Sequence, residues 1–370
     1  MCGIVGILGS KPVANDLVEA LRRLEYRGYD SAGIATVREG KLDRRRAEGK
    51  LNNLAARLTD EPLGGIAGIG HTRWATHGKP TEGNAHPHMN DRVSVVHNGI
   101  IENFRQLREE LVGAGHVFQS ETDTETIVNL DTHYLDTGLS PEAAVQMDLS
   151  RLKGAFALGI SFADHDDLMI AARQGSPLAI GHGDGEMFLG SDAIALAPFT
   201  SALTYLEEGD CAAITRNETR IFDREGNVVE RPKVTSVASA LTIDKGNHRH
   251  FMHKEIHEQP EVISHTLTNY IDMATHRVDF PDLGIDLAAI DRVTISACGT
   301  AYYAGLVAKY WIERYARLPV EIDVASEMRY REAPLPSTGL ALFISQSGET
   351  ADTLATLRYC RAEGQKIASI

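Results

Sequence analysis

The chain has 370 residues, a net charge of −14 and a pI near 5.5, a balance that argues against nucleic acid or an anionic membrane as partner. Hydrophobic residues make up 43% and charged residues 24%, as in soluble globular proteins, and the length suits two domains. No apolar run approaches the ~20 residues that span a bilayer, and no signal peptide precedes Cys2, so a cytoplasmic chain with no membrane association is expected. In chain order, residues 3–8 read as a short buried strand. Pro12 then opens a helix whose apolar face is Val13, Leu17, Leu21 and Leu24. That helix runs out at Tyr26-Arg27-Gly28-Tyr29-Asp30. Strands at 32–37 and 41–47 follow, then a helix over 51–58 and a Gly-rich strand over 65–71 that delivers the block 71–78. A β-branched strand from Val93 runs into Asn98-Gly99, a turn dipeptide. Helices are expected at 103–112, 123–135 and 141–152, and short strands from 154 to 222. Strands, helices and strands again predict a layered α+β domain over 2–223.

Residues 224–285 are more polar and read as a structured linker, in which His253-Lys254-Glu255-Ile256-His257-Glu258-Gln259-Pro260 ends a connecting helix. From 286 onward β and α runs alternate: strands at 293–297, 320–324, 340–344 and from 367, helices at 302–315 and up to 362. That alternation predicts an α/β doubly wound parallel sheet, incomplete because the chain stops in mid-unit. The four cysteines, Cys2, Cys211, Cys298 and Cys360, lie far apart without CxxC spacing and are expected as free thiols.

Cys2 becomes the N-terminal residue once Met1 is removed, and then carries a thiol and a free α-amine together. The amine has a pKa of about 8 and can take the thiol's proton without a histidine, the N-terminal form of an activated cysteine. The alternative is a small second residue that merely permits methionine trimming. An amidase built on Cys2 needs oxyanion donors, which the Asn98 amide and the Gly99 N–H can supply. The alternative for Asn98-Gly99 is an ordinary hairpin turn. Arg73 offers a planar fork for a carboxylate, or a surface ion pair. Asp123 suits an ammonium group, yet Thr122-Asp123-Thr124-Glu125 also spells a helix start. Histidines 71, 77, 86, 88 and 97 lack the i, i+4 or zinc-type spacing of a metal site, so neither metal nor cofactor is expected. Ser345-Gln346-Ser347-Gly348-Glu349-Thr350 lies where a parallel strand meets a helix N-terminus. There, free N–H groups and hydroxyls suit a sugar phosphate. Helix capping by the same hydroxyls is the alternative. Thr300 faces the same crevice from the preceding strand end.

Several motifs agree in order with one family: Cys2-Gly3-Ile4-Val5-Gly6, 25–31, 71–78, 97–103 and 120–125. The chain closely resembles the isomerising glutamine–fructose-6-phosphate aminotransferases over essentially its whole length. The resemblance implies an Ntn-hydrolase αββα sandwich followed by SIS (sugar isomerase) domains, the first of them 286–370 here. It implies Cys2 as nucleophile with its freed amine as base, Asn98 and Gly99 as oxyanion donors, and Arg27 as support for the nucleophile region. Glutamine would be held by Arg73, Thr76, His77 and Asp123, with Trp74 gating an ammonia tunnel. Fructose 6-phosphate would be held by Thr300, Ser345, Gln346, Ser347 and Thr350, in a homodimer joined through SIS domains. Ala301 stands where the family usually carries serine, and the family's second SIS domain would lie past residue 370. Another Ntn-type amidohydrolase and a non-catalytic sugar-phosphate sensor remain the alternatives.

Overall fold

The computed structural model describes residues 2–75, 78–236, 248, 250–268, 270–272, 277–278, 283–335, 338–348 and 350–370. The chain divides into two compact units, Met1–Asp244 and Lys245–Ile370. The first begins with β1 (Gly3–Leu8), α1 (Ala14–Arg22), β2 (Ser31–Arg38), β3 (Lys41–Glu48), α2 (Leu51–Asp60) and β4 (Ala67–Arg73). It continues with β5 (His88–Met89), β6 (Val93–Ile101), α3 (Phe104–Gly113), α4 (Thr124–Asp136), α5 (Pro141–Leu149), β7 (Gly154–Phe162) and β8 (His165–Gln174). The remaining elements are β9 (Ala179–His182), β10 (Met187–Gly190), α6 (Ala193–Leu196), β11 (Ala202–Tyr205), β12 (Cys211–Ile214), β13 (Thr219–Phe222), β14 (Val228–Val229) and β15 (Lys233–Thr235).

These strands form two sheets, ordered β15-β11-β9-β10-β1-β4-β2-β3 and β14-β13-β12-β8-β7-β6-β5. β1 is buried along its whole length, and its alternating side chains enter two different cores. Val5 and Ile7 pack with Leu17, Leu21, Leu24, Leu51 and Leu54 of α1 and α2. Ile4 and Leu8 face the second sheet, against Val96, Ala157, Met169 and Ala171. The other face of that sheet packs Val95, Phe156 and Leu158 on Leu107, Ile127 and Val145 of the remaining helices. Helices, sheet, sheet, helices make the expected αββα sandwich, and a strand buried on both faces accounts for the unbroken apolar run at 3–8. The two sheets come close at Gly6, where a Cβ would lie 2.5 Å from the Met169 sulfur.

The sheets run past Phe222. β14 pairs with β13 and β15 with β11, so the polar stretch from 224 adds edge strands to the first unit before any connecting segment begins. The Asn98-Gly99 pair is not a turn either: β6 passes through it, with Asn98 opposite Ala157 and Gly99 opposite Phe156.

The second unit contains α7 (Phe251–Thr268), the β16 (Ile271–Asp272) and β17 (Arg277–Val278) ribbon, β18 (Val293–Ala297), α8 (Gly299–Trp311) and β19 (Val320–Val324). α9 (Ala325–Arg331), β20 (Leu340–Ile344), α10 (Ala351–Ala362) and β21 (Lys366–Ser369) complete it. α7 does not stop at Pro260 but carries it inside the helix, where Pro forgoes one backbone hydrogen bond. β18 to β21 are parallel, in the order β19-β18-β20-β21. Val293 and Ile295 pack with Ala308 on one face, while Ala341 and Phe343 pack with Met328 and Cys360 on the other. The sheet is therefore doubly wound, and its direction of winding reverses between β18 and β20.

Candidate active site

Register sets the first contacts of the nucleophile. β4 lies beside β1 with Thr72 opposite Gly3, so Arg73, its last residue, and Trp74 after it come beside Cys2. The Trp74 N–H donates to Cys2 Sγ at 3.2 Å. Asp30 fixes the segment from both sides: its N–H donates to the Arg73 carbonyl at 2.8 Å and its Oδ2 accepts from the Ala75 N–H at 2.5 Å. Burial pushes the Cys2 thiol above its ordinary value, against the opposing pull of the Trp74 N–H and the Arg73 guanidinium. Few thiolates exist at neutral pH under those conditions, so the sulfur needs a base.

Asn98 is the second component. Its Oδ1 lies 2.9 Å from His71 Nε2, and its Nδ2 donates to the Cys2 carbonyl at 3.4 Å. Burial pushes His71 down to about 3, so the ring is neutral. An amide oxygen only accepts, so the single proton of that neutral ring sits on Nε2, which turns the Asn98 NH2 toward Cys2. The long contact to the Cys2 carbonyl is one an oxyanion can displace. Ile101 N–H donates to Asp123 Oδ2 at 2.9 Å, away from β7. Peptide groups alternate along a strand, so the Gly99 N–H, two residues earlier, is directed to the same open edge. Gly99 has φ +129, and a Cβ there would lie 2.0 Å from the Ala155 carbonyl. Gly99→Ala is therefore expected to cost about 3 kcal/mol through backbone strain and overpacking. Urea denaturation measures this loss.

Asp123 is the first residue before α4 but does not cap it. Its Oδ2 accepts from the Ile101 N–H instead, while Glu125 in the first turn holds the preceding loop, accepting from the Gln119 and Ser120 N–H groups at 2.7 and 2.6 Å. Asp123 lines a pocket with Cys2, Arg73, Trp74 and Gly99. Arg73 is 3% exposed, makes long contacts to the Lys79 and Gly78 carbonyls at 3.4 and 3.5 Å, and feels the attraction of Asp30 and Asp123. A guanidinium and a carboxylate in one pocket with a thiol match the two charged ends of an α-amino acid. Larger clefts open elsewhere on the unit, one lined by Arg173 and Asp210 and one by His182 and Lys233. Cys211 lines the first of these, its thiol pushed up by burial, and neither cleft is lined by Cys2, Asn98 or Gly99.

The Arg27 side chain is buried against the Tyr26 ring. It pairs with Asp192 Oδ2 at 2.6 Å, which also accepts from Tyr26 Oη. The neighbouring Ser191 exchanges hydrogen bonds with Ile4, its Oγ accepting from the Ile4 N–H at 3.0 Å and its N–H donating to the Ile4 carbonyl at 3.1 Å. Arg27 thus braces β1 two residues from the sulfur. His86, His88 and His97 spend ring nitrogens on Thr124 and Thr122. Burial pushes His86 and His88 well below their ordinary range.

In the second unit, Cys298 and Ser345 end the adjacent parallel strands β18 and β20, at the point where the winding reverses. Thr300 lies in the first turn of α8, and Gly348, with φ +67, folds the 345–348 turn back so that its N–H donates to Ser345 Oγ at 3.0 Å. Thr350 precedes α10 without a side-chain cap bond. Its hydroxyl is therefore not used in capping that helix.

The profile of a glutamine amidotransferase domain matches residues 71–198, and that of the SIS domain matches 286–370. A glutamine–fructose-6-phosphate aminotransferase of Bradyrhizobium diazoefficiens is 65% identical over 365 residues, covering 98% of this chain and 60% of its own length. The relative of the same name in Brucella abortus is 62% identical over the whole chain and 61% of its own length. Over nearly its whole length the chain is similar to glutamine–fructose-6-phosphate aminotransferases, with a glutamine amidotransferase match followed by a SIS match. It spans about 60% of the length of these curated relatives. A solved glutamine phosphoribosylpyrophosphate amidotransferase from B. subtilis covers the chain at a TM-score of 0.55 and 18% identity, a likeness of fold.

Thr76, His77, Met1 and Glu349 lie outside the described residues. The first unit's pocket gathers Cys2, Arg73, Trp74, Gly99 and Asp123, with Asn98 beside it. Asp30, His71, Ser191 and Asp192 were not singled out as site residues by the sequence pattern. Asp30 carried a signal as the acidic end of the Tyr26–Asp30 turn, and His71 as the first residue of the 71–78 block.

Proposed function

We propose that the chain hydrolyses the side-chain amide of L-glutamine through Cys2, with fructose 6-phosphate as the intended acceptor of the ammonia. The observation that carries this reading is the Asn98 amide, held by His71 and directed at Cys2 beside a buried Arg73. In the proposed reaction the α-amine of Cys2, freed by loss of Met1, takes the thiol proton. The sulfur then adds to the amide carbon, and the carbonyl oxygen becomes an oxyanion held by the Asn98 NH2 and the Gly99 N–H. Collapse breaks the carbon–nitrogen bond, the ammonium of Cys2 returns its proton, and ammonia leaves. Water then cleaves the γ-glutamyl thioester, giving glutamate and the free thiol. Arg73 and Asp123 hold the carboxylate and ammonium of the substrate, and Trp74, 54% exposed, covers the entrance. Arg27 positions β1. Thr76 and His77 complete the glutamine site.

In the second unit Thr300, Ser345, Gln346, Ser347 and Thr350 hold the sugar phosphate, at a switch point of the kind that binds ligands in doubly wound sheets. The reading includes a cytoplasmic homodimer joined through the second units. No described helix is long and apolar enough to cross a membrane. The test is glutamate release from L-glutamine by chains whose first residue has been checked by intact mass. The trimmed chain is expected to turn over, and a chain retaining Met1, whose Cys2 nitrogen is acylated, is expected to be inert. Absence of glutamate from the trimmed chain overturns the reading.

A further inference from the structure

Three histidines of the second unit stand together outside any residue used above. His253 and His257 lie one turn apart on α7, at the i, i+4 spacing that puts two imidazoles on one helix face. His248, just before the helix, folds back onto them. His248 Nδ1 lies 3.0 Å from His253 Nδ1, and His253 Nε2 lies 3.2 Å from His257 Nε2. The three ring centroids are 4.7 to 5.6 Å apart. Each such contact between neutral imidazoles is filled by one N–H and one lone pair, so the cluster gathers ring lone pairs that a cation can take up instead.

We infer that His248, His253 and His257 form a binding site for a borderline divalent transition metal, of the zinc or nickel class. Imidazole nitrogens suit these ions, and three protein donors leave a further position for water. Among the described residues no three donors converge on one point, His253 spending one nitrogen on each neighbour. Turning the His253 ring frees one of its nitrogens for the space between the other two. His253 and His257 are exposed on the helix surface, so both the ion and the ring rotation are accommodated without unpacking a core. Glu258, paired with Lys254 at 3.6 Å, adds a carboxylate one residue from His257.

The site is independent of the glutaminase reading, and the test is zinc chloride titrated calorimetrically into the full chain, repeated with nickel chloride. One equivalent is expected to bind, and added acid is expected to weaken binding because protons and metal compete for the same ring lone pairs. His253→Gln and His257→Gln are each expected to weaken binding at least about tenfold. The control is His116→Gln, which removes one member of the His116–His133 contact at 3.4 Å and is expected to leave the tight site intact. Circular dichroism of each variant establishes that the helix content is retained. Binding that persists unchanged in His253→Gln, or no stoichiometric binding at all, overturns the inference.

Discussion

Cys2→Ala is expected to lower the rate of glutamate release on the order of 10⁴-fold while leaving the fold in place. The sulfur makes few contacts: it accepts the Trp74 N–H at 3.2 Å and lies 3.6 Å from the Trp74 carbonyl. Loss of one hydrogen bond of this kind costs about 1 kcal/mol, which a sandwich with three packed cores tolerates. Chemical loss without unfolding is therefore the expected signature, read by pairing the assay with urea denaturation. The pH dependence of the trimmed wild-type chain separates the base from the nucleophile. Burial raises the thiol, so a mechanism that waited for spontaneous thiolate would gain activity only above the ordinary cysteine range of about 8.5. An α-amine base instead places the acid limb of kcat/KM near the amine's own value of about 8, with activity falling tenfold per unit below it. A limb that tracks the thiol would remove the amine from the mechanism.

Local signals carried most of the architecture into the sequence. β1 was legible because a strand buried on both faces needs apolar residues at every position that glycine does not take. α1 and α2 were legible because their leucines recur at helical spacing over a single core. The misread places are those where local chemistry and tertiary demand diverge. Asn98-Gly99 reads as a hairpin turn by composition, yet Gly99 is required by the close Ala155 carbonyl inside a strand. Asp123 reads both as a cap and as an ammonium ligand, and in the fold its side chain makes no cap bond but accepts from the Ile101 N–H. The polar run from 224 reads as linker, yet two short edge strands need only one buried face or none. The site's supports were the least legible. Ser191 reaches Ile4 from 187 residues away and Asp192 reaches Tyr26 from 166, and no window in the sequence spans such pairs. The His71 proton and the Asn98 amide are likewise joined only by the pairing of the two sheets across the sandwich.

A buried acidic pair escaped the sequence for the same reason, and it sets the second large effect. Asp131 on α4 and Asp148 on α5 are both 0% exposed, and none of their four carboxylate oxygens has a hydrogen-bond partner among the described residues. Read locally, each is one polar residue on a helix of ordinary composition. Burial pushes both carboxyls well above their ordinary range, and the charge of Asp131 pushes Asp148 further, with Arg151 opposing. Arg151 is itself engaged with Glu110 at 2.6 Å and Tyr134 at 3.3 Å, and the nearby Cys211 thiol is also raised by burial and by Asp131. The folded pair therefore keeps protons that the unfolded chain releases above about pH 4. Folding takes those protons up, so stability is fully present below that pH and declines as pH rises toward the folded values. The expected slope is about 1.4 kcal/mol per pH unit for each proton retained. Asparagine matches the shape of the protonated acid and does not titrate, so the double variant Asp131→Asn with Asp148→Asn is expected to lose this decline. Urea unfolding from about pH 5 to about pH 8 measures it: the wild-type and double-variant curves should diverge as pH rises, with the variant the more stable at the alkaline end. Parallel curves would mean that the two carboxyls meet water or a donor in the folded protein, and would leave the α4–α5 interface without its proton.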